Sequence, residues 1–282
     1  VRESSDPWRL RGVQEQIDLC SADLADAAQL SAVPEAATAD LVFHAGAAGV
    51  RPGEPPAAVI DANLRGTLNL LDLASRRGGC RRLVFLSSCS VYGAGAGLAE
   101  DAPLRGTGVY AQTKIAGEGI CRSYAAAGMP AVVLRLYTPY GPFEARYRFV
   151  AGTVLRAREG GEIPLTGGEQ SRDFIYIGDA VDAIVAAGVA AGVEGETLNV
   201  GTGVSTTIRE GVETILAATG SRAEPRFGAL PYRPDETWEM SGSPARMRAR
   251  LGLGAPLSFR DGVLKTWSWM SENMDLYQRR DA

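Results

Sequence analysis

Short apolar runs alternate with amphipathic stretches of helix length along this chain of 282 residues. The apolar runs are near-continuous, as expected for strands whose two faces are both covered. Strands are predicted at residues 17–20, 40–45, 82–88 and 131–137. Helices are predicted between them at residues 26–33, 57–77 and 109–127. Because strands and helices take turns in this way, the sequence predicts βαβ units and an α/β fold with a parallel sheet.

The second half of the chain keeps the alternation with shorter and less regular elements. They are predicted as helices at 147–159, 179–190, 206–218 and 260–275 and as strands at 163–165, 173–177 and 196–200. Glycine and proline accumulate in three joints that are long enough to carry functional residues, at 92–108, 138–145 and 228–244. The longest apolar stretch, Ala183 to Val193, is about half of a membrane span, so a buried helix is expected there.

Charge and cysteine content exclude several classes of protein. The formal net charge is −4, and no window concentrates basic residues without acidic neighbours, so no nucleic-acid partner is expected. The four cysteines include no Cys-x-x-Cys pair and do not cluster with His44, the only histidine. Neither a metal site nor Cys-His catalysis is therefore predicted, and a reducing cytoplasm fits such thiols. His44, alone in an apolar run, is expected to be a hydrogen-bonded core residue.

The segment from Tyr110 to Lys114 is the strongest chemical signal in the sequence. Lysine occurs only at positions 114 and 265, so a Tyr-x-x-x-Lys pair is rare by chance. Residues four apart share one helix face, so the ammonium can lie beside the phenol and favour its ionised form. Such a tyrosine can give and take a proton near neutral pH. Ser88 ends an apolar strand, where open α/β sheets place residues that face a ligand, and it could polarise the same substrate oxygen.

Eight segments, in order, resemble the extended short-chain dehydrogenase/reductase family, in particular its nucleotide-sugar epimerases, dehydratases and reductases. Those segments are residues 22–24, 42–47, 63–69, 87–93, 110–114, 135–142, 170–177 and 198–203. The resemblance implies a doubly wound parallel sheet, the Rossmann fold, together with a smaller substrate-binding α/β domain. It assigns residues 1–142 and 178–205 to the dinucleotide-binding domain and residues 143–177 and 206–282 to the substrate-binding domain.

The resemblance also implies which residues form the site. Ser88, Tyr110 and Lys114 match the catalytic residues that act on a sugar hydroxyl or ketone, and Lys114 would also hold the nicotinamide ribose. Further cofactor contacts are implied for Asp23, Leu24, Gly46 and Ala47, with Asp23 at the adenine amino group. Substrate contacts are implied for Ser88, Cys89, Ser90, Arg172 and Arg233, of which the two arginines would clamp the diphosphate.

Three of these positions have other interpretations or supporting roles. Asp23 could instead cap the N-terminus of the following helix. Arg233 rests on a short Arg-Pro-Asp match and could be a surface residue, whereas the match around Arg172 is longer. Asn63 is expected to tie the backbones of neighbouring loops together without touching a ligand.

The chain departs from the family's pattern at three places. Where 4,6-dehydratases carry an acidic pair after the catalytic Ser/Thr, this chain has Cys89 and Ser90, which disfavours elimination of water. Thr138 stands where epimerases usually have Asn, which leaves the donor sugar undefined. The glycine-rich phosphate-binding turn and the acidic residue after the second strand are not in the sequence. Because these parts are central in a doubly wound sheet, we expect a natural segment of about 35–45 residues upstream of Val1.

Together these features predict an enzyme that acts at C4 of a nucleotide-diphosphate sugar. We expect a 4-epimerase that works by transient oxidation with tightly bound NAD. An NAD(P)H-dependent 4-ketoreductase of 4-keto-6-deoxy sugars is the alternative, and NADP is the alternative cofactor. A catalytically inactive nucleotide-sugar or dinucleotide binder is a second alternative. The resemblance further implies a homodimer, joined through the helices near 57–77 and 109–127. A cytoplasmic location, expected from the cysteines, and no membrane association, expected from the short apolar stretch, complete the prediction.

Overall fold

In the computed structural model, residues 8–10, 12–33, 38–49, 53–76 and 79–278 are described. The chain forms two compact units. The first comprises residues 1–91, 103–135 and 184–198, and the second comprises residues 92–102, 136–183 and 199–282. Each unit is therefore assembled from three separate segments of the sequence.

Twelve strands and ten α-helices are assigned within the described residues. The strands are β1 (Leu41–His44), β2 (Arg82–Ser88), β3 (Gly95–Leu98), β4 (Ala131–Leu136), β5 (Thr138–Tyr140), β6 (Glu162–Pro164), β7 (Ser171–Arg172), β8 (Phe174–Tyr176), β9 (Thr197–Val200), β10 (Thr206–Thr207), β11 (Glu224–Arg226) and β12 (Met240–Gly242). The helices are α1 (Ala27–Ser31), α2 (Pro56–Ile60), α3 (Gly66–Arg76), α4 (Gly108–Ala126), α5 (Phe149–Glu159), α6 (Ile177–Val189), α7 (Ile208–Thr219), α8 (Ala245–Leu251), α9 (Phe259–Glu272) and α10 (Asp275–Gln278).

A four-stranded sheet runs in the order β1-β2-β4-β9. β1 and β2 are parallel, with Leu41 opposite Arg82 and His44 opposite Phe85. Leu83, its neighbour Val84 and Phe85 of β2 are all buried, as expected for a strand covered on both faces. Strands that alternate with helices around this sheet confirm the predicted α/β class.

Helices α3 and α4 pack on β2 in the core of the first unit. Leu71 of α3 and Cys121 of α4 belong to the same buried cluster as Leu83 and Phe85. Each fully buried Leu or Phe side chain stabilises the fold by about 1.5–3 kcal/mol. Gly117 allows α4 to approach the strand closely, because a Cβ added there would lie 2.8 Å from Cζ of Phe85. A side chain at position 117 would therefore push the middle of α4 away from β2.

Helices α2 and α3 continue one another through a π-helical turn at Asp61–Arg65. Pro56 is the first residue of α2, where its missing N–H removes no helical hydrogen bond. The predicted helix at 57–77 therefore forms, but with an irregularity that the amphipathic pattern did not indicate. Single π turns are frequent at functional sites, and Asn63 is buried in the middle of this one.

The second unit is built on short strand pairs and a helical core. Its pairs are β3 with β12, β5 with β8, β6 with β11 and β7 with β10. Tyr140 lies in a buried cluster with Val154 of α5, Ile215 of α7 and Val263 of α9. The Tyr140 hydroxyl donates a hydrogen bond to the backbone oxygen of Phe259 at 3.1 Å. This cluster of aromatic and aliphatic side chains thus packs three helices against the strand pair β5–β8.

Most predicted elements form within three residues of their predicted ends, but the strand at 17–20 is wrong. Those residues are not in a strand, and Ile17 and Leu19 are 39% and 42% exposed. A strand needs a neighbour for its backbone hydrogen bonds. Over the residues that the structure describes, the sheet ends at β1, which pairs with β2.

Two joints predicted as connections also contain strands. β3, from the joint at 92–108, pairs with β12, from the joint at 228–244. Two short glycine-containing segments can form a strand pair of this kind because each supplies backbone hydrogen bonds to the other, and neither shows an apolar pattern in the sequence.

Helix α6 differs from the buried helix expected for its apolar sequence. Ala180, Ala183 and Ala187 are buried, whereas Val185 and Val189 are 53% and 67% exposed. The expectation is wrong for one face of the helix, because the small residues pack inward and the valines point outward. No helix in the described ranges is both long and apolar enough to cross a membrane.

Candidate active site

Tyr110 and Lys114 lie one turn apart on the N-terminal half of α4. The helix begins directly after Thr107, so Tyr110 is in its first turn, and its side chain is half-buried. Lys114 is only 3% exposed, and its Nζ is 5.9 Å from the centre of the Tyr110 ring. The predicted pair is therefore brought together, with the ammonium near the Tyr110 ring.

Lys114 is held by the strand that α4 covers. Its Nζ donates a hydrogen bond to the backbone oxygen of Leu86 at 2.7 Å and lies 4.9 Å from the centre of the Phe85 ring. Burial lowers the pKa of Lys114 from its usual 10.5 to about 8, although the nearby Cys121 and Glu118 act in the opposite direction. The lysine is thus charged at neutral pH but loses its proton in an accessible range.

A buried ion pair lies one further turn along α4, at Glu118. This carboxylate is fully buried and accepts hydrogen bonds from Nε and Nη2 of Arg135 at 2.9 and 2.7 Å. The hydroxyl of Ser87 donates to it at 2.6 Å. A carboxylate and a guanidinium with these contacts satisfy each other's charge inside the core. Sequence reasoning did not identify Glu118, although its spacing of four from Lys114 was visible.

Ser88 ends β2 next to the pair on α4. Successive strand residues face opposite sides, and Ser87 points to Glu118 while Ser88 is half-buried. The backbone N–H of Ser90 donates to Oγ of Ser88 at 3.2 Å. Because this contact uses an acceptor position, the Ser88 hydroxyl proton can be donated to another oxygen.

Cys89 and Ser90, predicted to contact substrate, lie in the 3₁₀ turn that follows β2. Cys89 is 6% exposed. Oγ of Ser90 is buried and has no hydrogen-bond partner within the described part of the chain. Gly106 packs closely against this turn, since a Cβ added there would lie 2.1 Å from the backbone oxygen of Ser90. A buried hydroxyl of this kind is a polar group that a bound molecule could satisfy.

Asn63 fastens the loop after β1 to α4. Its amide accepts a hydrogen bond from the backbone N–H of Ala48 at 2.7 Å and donates to the backbone oxygen of Ala48 at 3.0 Å. It also donates to Oγ1 of Thr113 at 2.9 Å, and Thr113 in turn donates to the backbone oxygen of Tyr110 at 2.8 Å. Asn63 is expected from the sequence to tie the backbones of neighbouring loops together, and the structure shows instead that it ties the backbone of one loop to a side chain of α4.

Gly49, in this loop, has no room for a side chain beside Tyr110. Its φ is +88°, and a Cβ added there would lie 3.2 Å from Cδ2 of Tyr110 and 2.9 Å from Cγ1 of Val59. Only glycine adopts this backbone conformation and this close approach without strain. The sequence analysis singled out Gly46 and missed Gly49, because a positive φ leaves no mark in a single sequence.

Leu24 lies against the same loop, and Asp23 precedes it in the chain. A Cβ added at Gly46 would lie 2.9 Å from Cδ1 of Leu24, and Asn69 of α3 donates to the backbone oxygen of Leu24 at 2.9 Å. Oδ1 of Asp23 accepts from the backbone N–H of Ala25 at 2.9 Å. The cap of α1 is Asp26, which accepts from Ala28 and Gln29, so the alternative interpretation of Asp23 as the helix cap is wrong.

His44 behaves as a core residue, as expected. It is 2% exposed, and its Nε2 is 2.8 Å from Oγ1 of Thr67. Burial, and next the charge of Lys114, lower the pKa of His44 to about 4. The imidazole is therefore neutral at physiological pH and packs at 5.4 Å from the Phe85 ring.

Arg172 and Arg233 come together in the second unit around one carboxylate. Nη2 of Arg172 donates to Oε1 of Glu236 at 2.8 Å. Nε and Nη2 of Arg233 donate to Oε2 and Oε1 of the same carboxylate at 3.3 and 3.4 Å. The two arginines predicted to bind a diphosphate are therefore neighbours, and Glu236 is a residue of this cluster that the sequence analysis missed.

Most of the chain matches a known protein family. Residues 2–201 match the NAD dependent epimerase/dehydratase family. The chain belongs to this family. Its members are the nucleotide-sugar group of the extended short-chain dehydrogenases/reductases, so the resemblance and the Rossmann-type fold class are confirmed.

Similar proteins in this family have several activities. A probable UDP-glucuronate 4-epimerase of Rhizobium meliloti is 32% identical over 281 residues, which cover 90% of this chain and 81% of that protein. A double mutant of DesIV, the dTDP-glucose 4,6-dehydratase of Streptomyces venezuelae, solved with NAD and DAU bound, has a TM-score of 0.87 and 25% identity over 99% of this chain and 88% of that one. MoeE5 in complex with UDP-glucuronic acid and NAD has a TM-score of 0.78 and 27% identity over 90% and 85%.

The family is NAD-dependent, and the first unit of this chain fits part of such a cofactor. Gly46 and Ala47 are exposed and carry at most a methyl group, so a ligand can lie against their backbone. Leu24 packs beside Gly46, which brings the residues predicted at the adenosine end together. Their contacts with the cofactor stay predictions, as do the substrate contacts of the arginines.

Proposed function

We propose that the protein is a nucleotide-sugar 4-epimerase that oxidises the C4 hydroxyl of its sugar transiently with tightly bound NAD. The observation that carries the proposal is the buried Lys114 ammonium beside the half-buried Tyr110 phenol, one turn apart on α4. Family membership supports the use of NAD, and the similarity to a probable UDP-glucuronate 4-epimerase supports the reaction at C4.

Each residue of this group has a role that its geometry allows. Tyr110 takes the proton of the C4 hydroxyl and returns it when the ketone is reduced, and the Lys114 charge stabilises the phenolate in the meantime. Ser88 donates its hydroxyl proton to the same substrate oxygen. NAD, when bound, supplies the hydride acceptor, with Lys114 at its nicotinamide ribose and Asp23, Leu24, Gly46 and Ala47 at its adenosine end.

The residues after Ser88 favour epimerisation over dehydration. Elimination of water needs an acid and a base near C5 and C6, whereas Cys89 is a buried thiol and Ser90 an alcohol. Neither side chain carries a carboxyl group, so these two positions offer binding groups but no carboxylate.

Our proposal for the substrate class rests on two arginines of the second unit. Arginine pairs bind diphosphates through paired N–H groups, and we assign the diphosphate to Arg172 and Arg233. The sugars expected are the 4-epimers of a UDP-hexose or UDP-hexuronate, by similarity to the relatives above. A cytoplasmic homodimer through α2–α3 and α4 is part of this proposal, and it is supported by exposed apolar residues there, Leu68 and Val109. The size of the purified full-length protein in solution tests the dimer.

The test of the reaction uses the full-length protein with UDP-glucose and UDP-glucuronate in separate assays. We expect conversion to the 4-epimer without net consumption of NAD, and copurification of the cofactor. Tyr110→Phe should reduce turnover at least roughly 100-fold while the nucleotide-sugar Kd changes little. Turnover only of a 4-keto-6-deoxy sugar with added NADPH would replace the epimerase with a ketoreductase, and equal turnover by Tyr110→Phe would refute the role of the tyrosine.

A further inference from the structure

Arg172 is held in place by hydrogen bonds within the protein, without a ligand. Its Nη1 donates to the backbone oxygens of Ser171 at 2.7 Å and Thr237 at 2.6 Å. Its Nη2 donates to Glu236 at 2.8 Å, and the side chain is 16% exposed. Arg172 therefore joins β7 to the segment that carries Glu236 and Thr237, and it holds the Glu236 carboxylate in one place.

Glu236 lies between this anchored arginine and a freely accessible one. Its side chain is 4% exposed, whereas that of Arg233 is 72% exposed. The Glu236 carboxylate accepts hydrogen bonds from Nε and Nη2 of Arg233, which are the two donors on one edge of the guanidinium. The other edge, with Nη1, makes no hydrogen bond to the part of the chain that is described.

This difference in exposure separates two possible roles of Glu236. A carboxylate that competes with a ligand for the arginines would have to be reached from solvent, and Glu236 is covered. A carboxylate that lies beneath Arg233 can instead fix its orientation and leave the outer edge of the guanidinium free. Guanidinium groups bind phosphate oxygens through such an edge, with two parallel N–H donors.

We propose that Glu236 is a positioning residue, which takes its own place from Arg172 and holds Arg233 so that its outer edge meets the diphosphate of the substrate. The inference rests on the proposed function, because it assumes that Arg233 contacts a diphosphate. A flexible, exposed arginine loses side-chain entropy when it binds, and a preset guanidinium loses less, so the contact with Glu236 increases affinity without touching the ligand.

The test is a double-mutant cycle on UDP binding, measured by calorimetry with the full-length protein. Arg233→Ala should raise the Kd for UDP roughly tenfold or more, as expected for hydrogen bonds to a charged group. Glu236→Gln, which keeps the shape and removes the charge, should raise it roughly three- to tenfold. In the Arg233→Ala background the same substitution should change the Kd less than about twofold, because the residue it positions is gone.

Kinetics separate a positioning role from general damage to the fold. Glu236→Gln should raise KM and leave kcat within about twofold, because the lost contact binds substrate and transition state equally. The matched control is Glu162→Gln, which removes a carboxylate from an exposed ion pair with Arg226 elsewhere in the second unit, and it should leave KM and Kd unchanged. Arg233→Lys keeps the charge but lacks the paired edge, and it should weaken UDP binding about as much as Glu236→Gln does.

Three results would overturn the inference: tighter binding of UDP by Glu236→Gln, an equal effect of this substitution with and without Arg233, or wild-type affinity of Arg233→Lys. A different result would contradict the proposed function instead. If Arg233→Ala and Arg172→Ala both bind UDP as the wild type does, the arginine pair is not the diphosphate site.

Discussion

Replacement of Lys114 by Met tests the cost of burying the active-site charge. Lysine and methionine have side chains of similar length, so Lys114→Met removes the ammonium and leaves the packing against Phe85 largely in place. We expect the variant to lose turnover and to be as stable as the wild type at pH 7, or more stable. A core substitution that removes a hydrogen bond usually destabilises a protein, so this outcome is specific to a strained charge.

The magnitude follows from the pKa of Lys114. A decrease from 10.5 to about 8 means that burial disfavours the charged lysine by 2.5 pKa units, which at 1.36 kcal/mol per unit is about 3 kcal/mol. Against this, the variant leaves the backbone oxygen of Leu86 without its 2.7 Å partner, at a cost of about 1–3 kcal/mol. The expected net gain for Lys114→Met at pH 7 is therefore about 0–2 kcal/mol.

The gain should disappear as the pH rises. Below pH 8 the folded state carries the unfavourable buried charge. Between pH 8 and 10.5 the folded protein has lost this proton while the unfolded chain still binds it, so the wild type becomes more stable with pH relative to the variant. From pH 7 to pH 9.5 the difference between the two proteins should shift by about 2 kcal/mol in favour of the wild type.

The assay is urea unfolding of wild type and Lys114→Met in the same buffers from pH 6.5 to 9.5, after any copurified cofactor has been removed from both proteins, because a bound ligand would itself stabilise the folded state. Because other titrating groups are common to both proteins, the difference between their free energies of unfolding isolates Lys114. A loss of more than about 2 kcal/mol at pH 7, or a difference that does not change with pH, would refute the argument that the buried ammonium is disfavoured.

Two further predictions concern Glu118, near Lys114, and Gly49, near Tyr110. Glu118→Gln removes the charge of a buried carboxylate that accepts two hydrogen bonds from Arg135 and one from Ser87, so it should lower the free energy of unfolding by about 3–5 kcal/mol. Replacing Glu118 and Arg135 together by Met should restore most of this loss. Urea unfolding measures both variants, and a loss below about 1 kcal/mol for Glu118→Gln would contradict a stabilising role of this ion pair. Gly49→Ala should lower the free energy of unfolding by about 1–2 kcal/mol because of its φ of +88°, and it should lower turnover about tenfold by displacing Tyr110. The control is Gly53→Ala, which has a φ of +83° and no atom within 4 Å of the added Cβ, so it should lose stability and keep its turnover. Equal turnover of the two variants would count against an effect of the contact with Tyr110.

The parts of the fold that the sequence predicted depend on local pattern. β2 is a continuous apolar run, and α4 carries Tyr110 and Lys114 at the spacing of one helical turn, so both could be recognised from neighbouring residues alone. The strand predicted at 17–20 shows the limit of such patterns. An apolar run becomes a strand only beside another strand, and the neighbour is not visible in the run itself.

The parts that were missed depend on residues far apart in the chain. The pairing of Gly95–Leu98 with Met240–Gly242 brings together two joints with no strand pattern of their own. The burial of Glu118 on α4 depends on Arg135, which lies on β4, and the role of Gly49 depends on where the Tyr110 ring lies. Spacing along one helix identified the proton-transfer pair, but the residues that support it are identified by contacts across the fold.

The π turn at Asp61–Arg65 determines the rotation about the helix axis between two asparagines that each hold a neighbouring segment. Asn63, inside the turn, holds the loop that touches Tyr110, and Asn69, beyond it, holds Leu24 next to Gly46. Each residue of an α-helix adds about 100° of rotation, so deleting one residue from the turn would leave one of the two amides facing away from its loop. The irregular turn thus sets the relative orientation of Asn63 and Asn69, and through them it aligns the loop beside Tyr110 with the residues expected to hold the cofactor.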